Sequence, residues 1–312
     1  MSQQPASHHH TDPEEAARLL KLATAASVAV AVTLIAAKGI AWSISGSVSM
    51  LGTLIDSTLD ALASLLNFFA VRHALVPADQ EHRFGHGKAE ALAGLGQSAF
   101  IGLSAIFLLT ESVRRILNPV PIERVGLGIA VLVLAIVATL ALLALQRHVI
   151  RKTDSTAIKA DSLHYKTDLL VNGSVILALV LSVWGWTGFD ALFAIGIALY
   201  ILYSAWQIVK QAFDHLMDRE LPDDEREEII RLAMTHPGVK GIHDLRSRRS
   251  GTATFIQLHL ELDDELPLIE AHAIGDQVEA NILSAYPGAE IIIHIDPVSV
   301  VPDEPVPPFL QE

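Results

Sequence analysis

A chain of 312 residues that is 51% hydrophobic, with a mean hydropathy of +0.41 and no cysteine, is not an ordinary soluble domain, and it excludes disulfides and thiolate metal sites. Its formal charge of −13 is unevenly placed: Arg219 to Glu312 carries 19 Asp and Glu against 7 Lys and Arg, and the residues before it are nearly neutral. That asymmetry separates a lipid-embedded part from an acidic water-soluble part and argues against nucleic acid, which favours a basic surface.

The N-terminus, MSQQPASHHHTDPEEAARLLK, is polar and acidic before its first apolar run, unlike a cleavable signal peptide. Residues 1–18, with the short tract His8 to His10, are expected to form a tail. A spanning helix needs about 20 mostly apolar residues. Six segments approach this: Leu22–Trp42, Val48–Val71, Ala91–Leu109, Val125–Leu145, a fifth ending at Trp186, and Phe189–Val209. Together they predict a polytopic α-helical membrane domain of six transmembrane helices over residues 19–214. The fifth is purely apolar only from Leu169, yet Ser155 to Lys166 contains no Pro or Gly and extends the same helix. A start near Thr156 carries Asp168 about 18 Å inward, near the bilayer midplane and level with Asp56 and Asp60.

Asp56 with Asp60, and His164 with Asp168, are spaced four residues apart, about one helical turn, so each pair projects from one helix face. Two such helices side by side present one imidazole and three carboxylates around a point, a tetrahedral divalent-metal site. Intramembrane charge is normally retained where it pairs, lines a pathway or binds an ion. Lys and Arg in the flank at Arg18 and Lys21, in the loop with Arg72, Arg83 and Lys88, and at Arg147, Arg151 and Lys152 all fall on one side, which places both termini in the cytosol. Arg114, Arg115 and Arg124 break the pattern on the other side.

Beyond Leu221-Pro222 the periodicity changes. Asp223–Met234 reads as an amphipathic helix, Gly241–Arg249 as a strand, and Phe255–Leu262 alternates as a half-buried strand does. Pro267–Tyr286 reads as a helix and Ala289–Ile295 as a third strand. This order, αββαβ, predicts a cytosolic α+β domain over residues 215–301, followed by a mobile Pro-rich tail over 302–312.

The segments GSVSMLGTLIDSTLDALASL, PADQEHRFGHGKAEALA and ADSLHYKTDLLVNG resemble the cation diffusion facilitator family, specifically its bacterial zinc and ferrous-iron efflux (YiiP-type) branch. The likeness runs from Gly39 to about Val301. It implies a homodimer in the bacterial inner membrane that exchanges cytosolic divalent metal for external protons, with a metallochaperone-like cytosolic domain and no enzymatic activity. It implies that Asp56, Asp60, His164 and Asp168 form the transport site and Asp79, His82 and His86 a cytosolic loop site. It also implies a binuclear zinc site from His243, His259, His272, His294 and Asp296. Lys88 and Asp218 resemble the family's charge pair at the junction between the two domains, and Leu163 resembles an apolar gate. Zinc is the expected cargo and regulator. Iron, cadmium or manganese is the alternative, because hard carboxylates relax selectivity. A membrane-anchored metal sensor is the rival of another class, and mid-span carboxylates speak against it. The chain has no HExxH for a zinc protease.

Overall fold

The computed structural model describes residues 12–45, 48–117, 128–183 and 189–301. The His8–His10 tract, Arg124, the expected end of the fifth span at Trp186 and the Pro-rich tail lie outside the described residues. Two compact units emerge: Ala17–Leu216, and Met217–Glu312 together with Met1–Ala16.

The first unit is built from α1 (Pro13–Ser45), α2 (Val48–Ala74), α3 (Lys88–Leu117), α4 (Gly128–Thr153), α5 (Thr156–Val183) and α6 (Phe189–Leu216). Five of these helices are long and apolar enough to cross a membrane; α5 is the exception among the described residues. Its first half carries Lys159, Asp161, His164, Lys166 and Asp168, which lowers its hydropathy. The same half is the most enclosed stretch of the unit, with residues 155–158, 160, 161 and 163–165 all buried. A polar segment at membrane depth is tolerated when protein rather than lipid surrounds it.

Local chemistry sets where α5 begins. Asp154 takes a left-handed φ of 50°, which Asp adopts more readily than most residues, and its N–H closes onto Ile150 carbonyl at 2.9 Å to end α4. Ser155 follows as the N-cap, its hydroxyl accepting the Ile158 N–H at 3.1 Å. The α4–α5 connection is therefore only two residues long.

α5 is held on two sides. Ile101 and Ala105 of α3, Ala160 and Leu163 of α5, and Ile201, Ala205 and Ile208 of α6 form one apolar cluster. Leu20 and Ala23 of α1, Val71 of α2, Val149 of α4, and Ala157 and Ile158 form another. At Gly94 on α3 a Cβ would fall 2.8 Å from Thr156 Cγ2, so this close helix approach requires glycine. The outward faces expose Leu66, Phe69, Leu103, Phe107, Tyr203 and Trp206, an apolar surface suited to lipid rather than water.

The second unit contains α7 (Asp223–Ala233), β1 (Gly241–Ser250), β2 (Ala253–Leu262), α8 (Leu268–Ala285) and β3 (Glu290–Pro297), the αββαβ order read from the sequence. The sheet order is β1-β2-β3, with β1 antiparallel and β3 parallel to β2. Alternation divides β2 by face. Ile256, Leu258, Leu260 and Leu262 are buried with Ile229, Val278, Ile282 and Tyr286. Gln257, His259 and Glu261 belong to the opposite face.

Candidate metal centres

Inside the helical unit, Asp60 of α2 and His164 and Asp168 of α5 bring one ligand atom each within 4.8 Å of one another. His164 Nε2 stands 3.2 Å from Asp60 Oδ1 and 3.9 Å from Asp168 Oδ2. It is buried and makes no hydrogen bond, so neither contact has the geometry of one. A buried nitrogen left open between two carboxylates is the donor arrangement a divalent cation completes. Asp56, expected beside them, is exposed one turn along α2 and stands outside this cluster. Leu163, the expected gate, is 6% exposed and packs in the α3–α5–α6 cluster.

Around this centre lies polar machinery that spacing alone did not single out. Asp161, fully buried, accepts hydrogen bonds from Ser27 Oγ of α1, from Gln97 Nε2 of α3 at 3.2 Å and from Gln146 Nε2 of α4 at 2.8 Å. Tyr165, also buried, donates to Ser27 carbonyl at 3.0 Å and meets Ser64 Oγ of α2 at 3.0 Å. These two side chains flank the His164 turn and tie α5 to α1, α2, α3 and α4. The sequence signal for Asp161 was an acidic residue one turn before His164. Asp161→Ala leaves three buried donors without their acceptor, so we expect a stability loss on the order of 3 kcal/mol, with Asp161→Asn milder. Thermal unfolding in detergent, with protein yield as a control, measures it.

The connection between α2 and α3 gathers Asp79, His82 and His86. Asp79 Oδ1 accepts the N–H groups of Glu81 at 2.9 Å and His82 at 2.6 Å, a turn that leaves Oδ2 3.4 Å from His86 Nε2. His86 Nδ1 lies 3.3 Å from Val76 carbonyl, which fixes the ring with Nε2 facing the carboxylate. Gly85, at φ +75°, lets the chain turn between the two histidines. The His82 backbone N–H does most to hold the Asp79 carboxyl below its usual range. Desolvation, the next largest influence, opposes it, and the Glu81 N–H and the two imidazoles add to the lowering. His73, at the end of α2, sets its ring edge-on to His86 with centroids 4.7 Å apart.

On the open face of the second unit's sheet the register does what sequence spacing could not. His243 of β1 pairs with His259 of β2, and His259 pairs with His294 of β3, so three imidazoles form a row across three strands. Neighbouring ring centroids are 4.9 and 4.6 Å apart. Asp296 sits in the centre of their contacts: Oδ2 is 2.7 Å from His259 Nδ1 and 3.5 Å from His243 Nε2, while Oδ1 is 3.1 Å from His294 Nε2. Glu261, paired with Asp296 in the register, takes His243 Nδ1 at 3.0 Å and so aims Nε2 at the cluster. Burial pushes the Asp296 carboxyl up, but the His259 hydrogen bond and the three imidazoles outweigh it and hold it low. His272 is not brought in; it stands exposed on α8 beside Asp276, 3.6 Å away.

Lys88 and Asp218 each have a partner within their own unit. Lys88 Nζ donates to Leu216 carbonyl at 3.4 Å, and Asp218, at φ 54°, accepts from Arg248 at 3.0 Å.

Family comparisons agree with both units. Residues 24–217 match the cation efflux transmembrane domain, and residues 221–298 match the cytoplasmic domain of cation efflux proteins. The chain is 51% identical over 285 residues to the cation-efflux pump FieF of Klebsiella pneumoniae subsp. pneumoniae, covering 91% of this chain and 95% of that protein. It is 52% identical over 287 residues to the FieF of Salmonella paratyphi A, covering 92% and 96%. The metal-bound C-terminal domain of the CzcD transporter from Thermotoga maritima is 26% identical over 25% of this chain and 92% of that domain, with a TM-score of 0.24. The family profiles and the length of the FieF matches decide the matter: the chain belongs to the cation efflux, or cation diffusion facilitator, family and is a membrane cation-efflux transporter, not an enzyme.

Proposed function

We propose that this transporter exports a divalent metal, zinc foremost, from the cytosol of a bacterium across its inner membrane in exchange for protons. Asp56, Asp60, His164 and Asp168 hold the ion in transit. The observation that carries this reading is the His164 Nε2 atom, buried without a hydrogen-bond partner and facing Asp60 and Asp168. Imidazole with carboxylates suits tetrahedral zinc, and its predominance of oxygen donors also admits ferrous iron, manganese or cadmium. Asp56, one turn from Asp60, completes the set through a small movement of α2. The loop site of Asp79, His82 and His86 captures metal on the cytosolic side, where both termini lie.

The protein works as a homodimer, and metal at His243, His259, His294 and Asp296 regulates it. Asp296 offers both its oxygens to different imidazoles, which suits a carboxylate shared between two ions. His272, outside that cluster in one copy, is left to serve the site of a second copy.

Proton exchange follows from the ligands themselves, since an imidazole must shed its proton to bind metal. In proteoliposomes under a fixed zinc gradient, reversing the imposed proton gradient is expected to change zinc flux severalfold. Flux indifferent to that reversal removes the antiport. Competition of iron, manganese and cadmium against zinc in the same vesicles ranks the cargo.

A further inference from the structure

Lys38 is the only charged residue between Leu22 and Trp42. An ammonium within such an apolar span is costly and normally pairs with an acid. This one, half-buried on α1, instead donates to two neutral oxygens of α2, the Ser57 hydroxyl and the Thr53 carbonyl, the latter at 3.3 Å. Among the described residues no carboxylate lies within ion-pair distance of it.

The choice of anchor matters. Thr53, Asp56, Ser57 and Asp60 are spaced i, i+3, i+4 and i+7, so they share one face of α2. The ammonium therefore hangs over the α2 face from which Asp56 and Asp60 project. The cluster holds two carboxylates and one imidazole, with Asp56 a further acid one turn away, in a setting of low dielectric where uncompensated charge is expensive. An ion arriving at that site meets a fixed positive charge beside it.

We propose that Lys38 is the built-in counter-charge of the transport site. Its ammonium balances the carboxylates while the site is empty, and its repulsion of the divalent cargo sets the affinity low enough for release. Ser57 and Thr53 hold the charge on the α2 face that carries Asp56 and Asp60. The proposal rests on the reading of Asp56, Asp60, His164 and Asp168 as the transport site.

The test uses the full-length protein in a background carrying His82→Ala, His86→Ala, His259→Ala and His294→Ala, so that calorimetry with zinc reads the transport site. Zinc flux in proteoliposomes gives KM and Vmax in parallel. Lys38→Gln keeps a donor for Ser57 and removes the charge. Lys38→Met removes both and inserts readily into lipid, which covers the case in which the glutamine variant does not fold. Lys38→Arg keeps the charge. Both neutral variants are expected to bind zinc about tenfold tighter or more, with KM and Vmax falling together, and the arginine variant to stay within about threefold of the parent. Unchanged or weakened zinc affinity in the neutral variants overturns the proposal. So does a loss shared equally by all three variants, which would make Lys38 only an α1–α2 tether. Asp60→Ala in the same background separates the two readings: if it binds zinc normally, the assignment of the site fails, whereas lost binding there with unchanged affinity in Lys38→Gln defeats the counter-charge alone.

Discussion

Asp60→Ala and Asp168→Ala are each expected to abolish zinc flux in proteoliposomes, by about 100-fold or more, while the purified protein stays folded. The size of the effect follows from the geometry. His164 Nε2 faces these two carboxylates at 3.2 and 3.9 Å, so either truncation removes one of the two carboxylates gathered around the imidazole. The folding cost is small because both side chains are partly open, 26% and 38% exposed, and no tight packing collapses around them. Normal zinc uptake by either variant, with the protein correctly inserted, would falsify the site. Asp56→Ala extends the test: complete loss makes Asp56 an obligatory fourth ligand, and a graded loss makes the three-residue cluster sufficient.

Zinc is expected to strengthen self-association of the fragment from Arg219 to Val301 at least tenfold at neutral pH, and His259→Ala or Asp296→Ala to remove that response. The fragment carries its own core of Ile229, Ile256, Leu258, Leu260, Val278 and Ile282, so it can be studied alone. A metal that binds the associated state more tightly than the free one shifts the equilibrium by mass action. Asp296 is the sharper probe, since it contacts His243, His259 and His294 at once. Acidification should weaken the response, because protons compete with metal for imidazole ligands. Sedimentation velocity with and without zinc reads the outcome. No zinc effect in the parent fragment, or an undiminished one in both variants, would rule out regulation through this site.

Much of this molecule is legible in its sequence. Apolar runs of spanning length located the helices, the switch to alternation beyond Leu221 located the sheet, and the Pro- and Gly-free stretch after Ser155 located the start of α5. These are local properties: a periodicity of 3.6 or 2 states which side chains share a face, whatever that face meets. The pairing of Asp56 with Asp60 and of His164 with Asp168 belongs to the same level. What the face meets is not local. Only the packing of α2 against α5 put Asp60 beside His164 while leaving Asp56 outside. Strand register alone aligned His243, His259 and His294, residues far apart in the chain, and left His272 on a helix away from them. Asp161 and Lys38 did not stand out by spacing, because the groups that hold them come from other helices. A side chain's polarity is written in the sequence, whereas the groups that satisfy it in a medium without water are chosen by how the helices close around it.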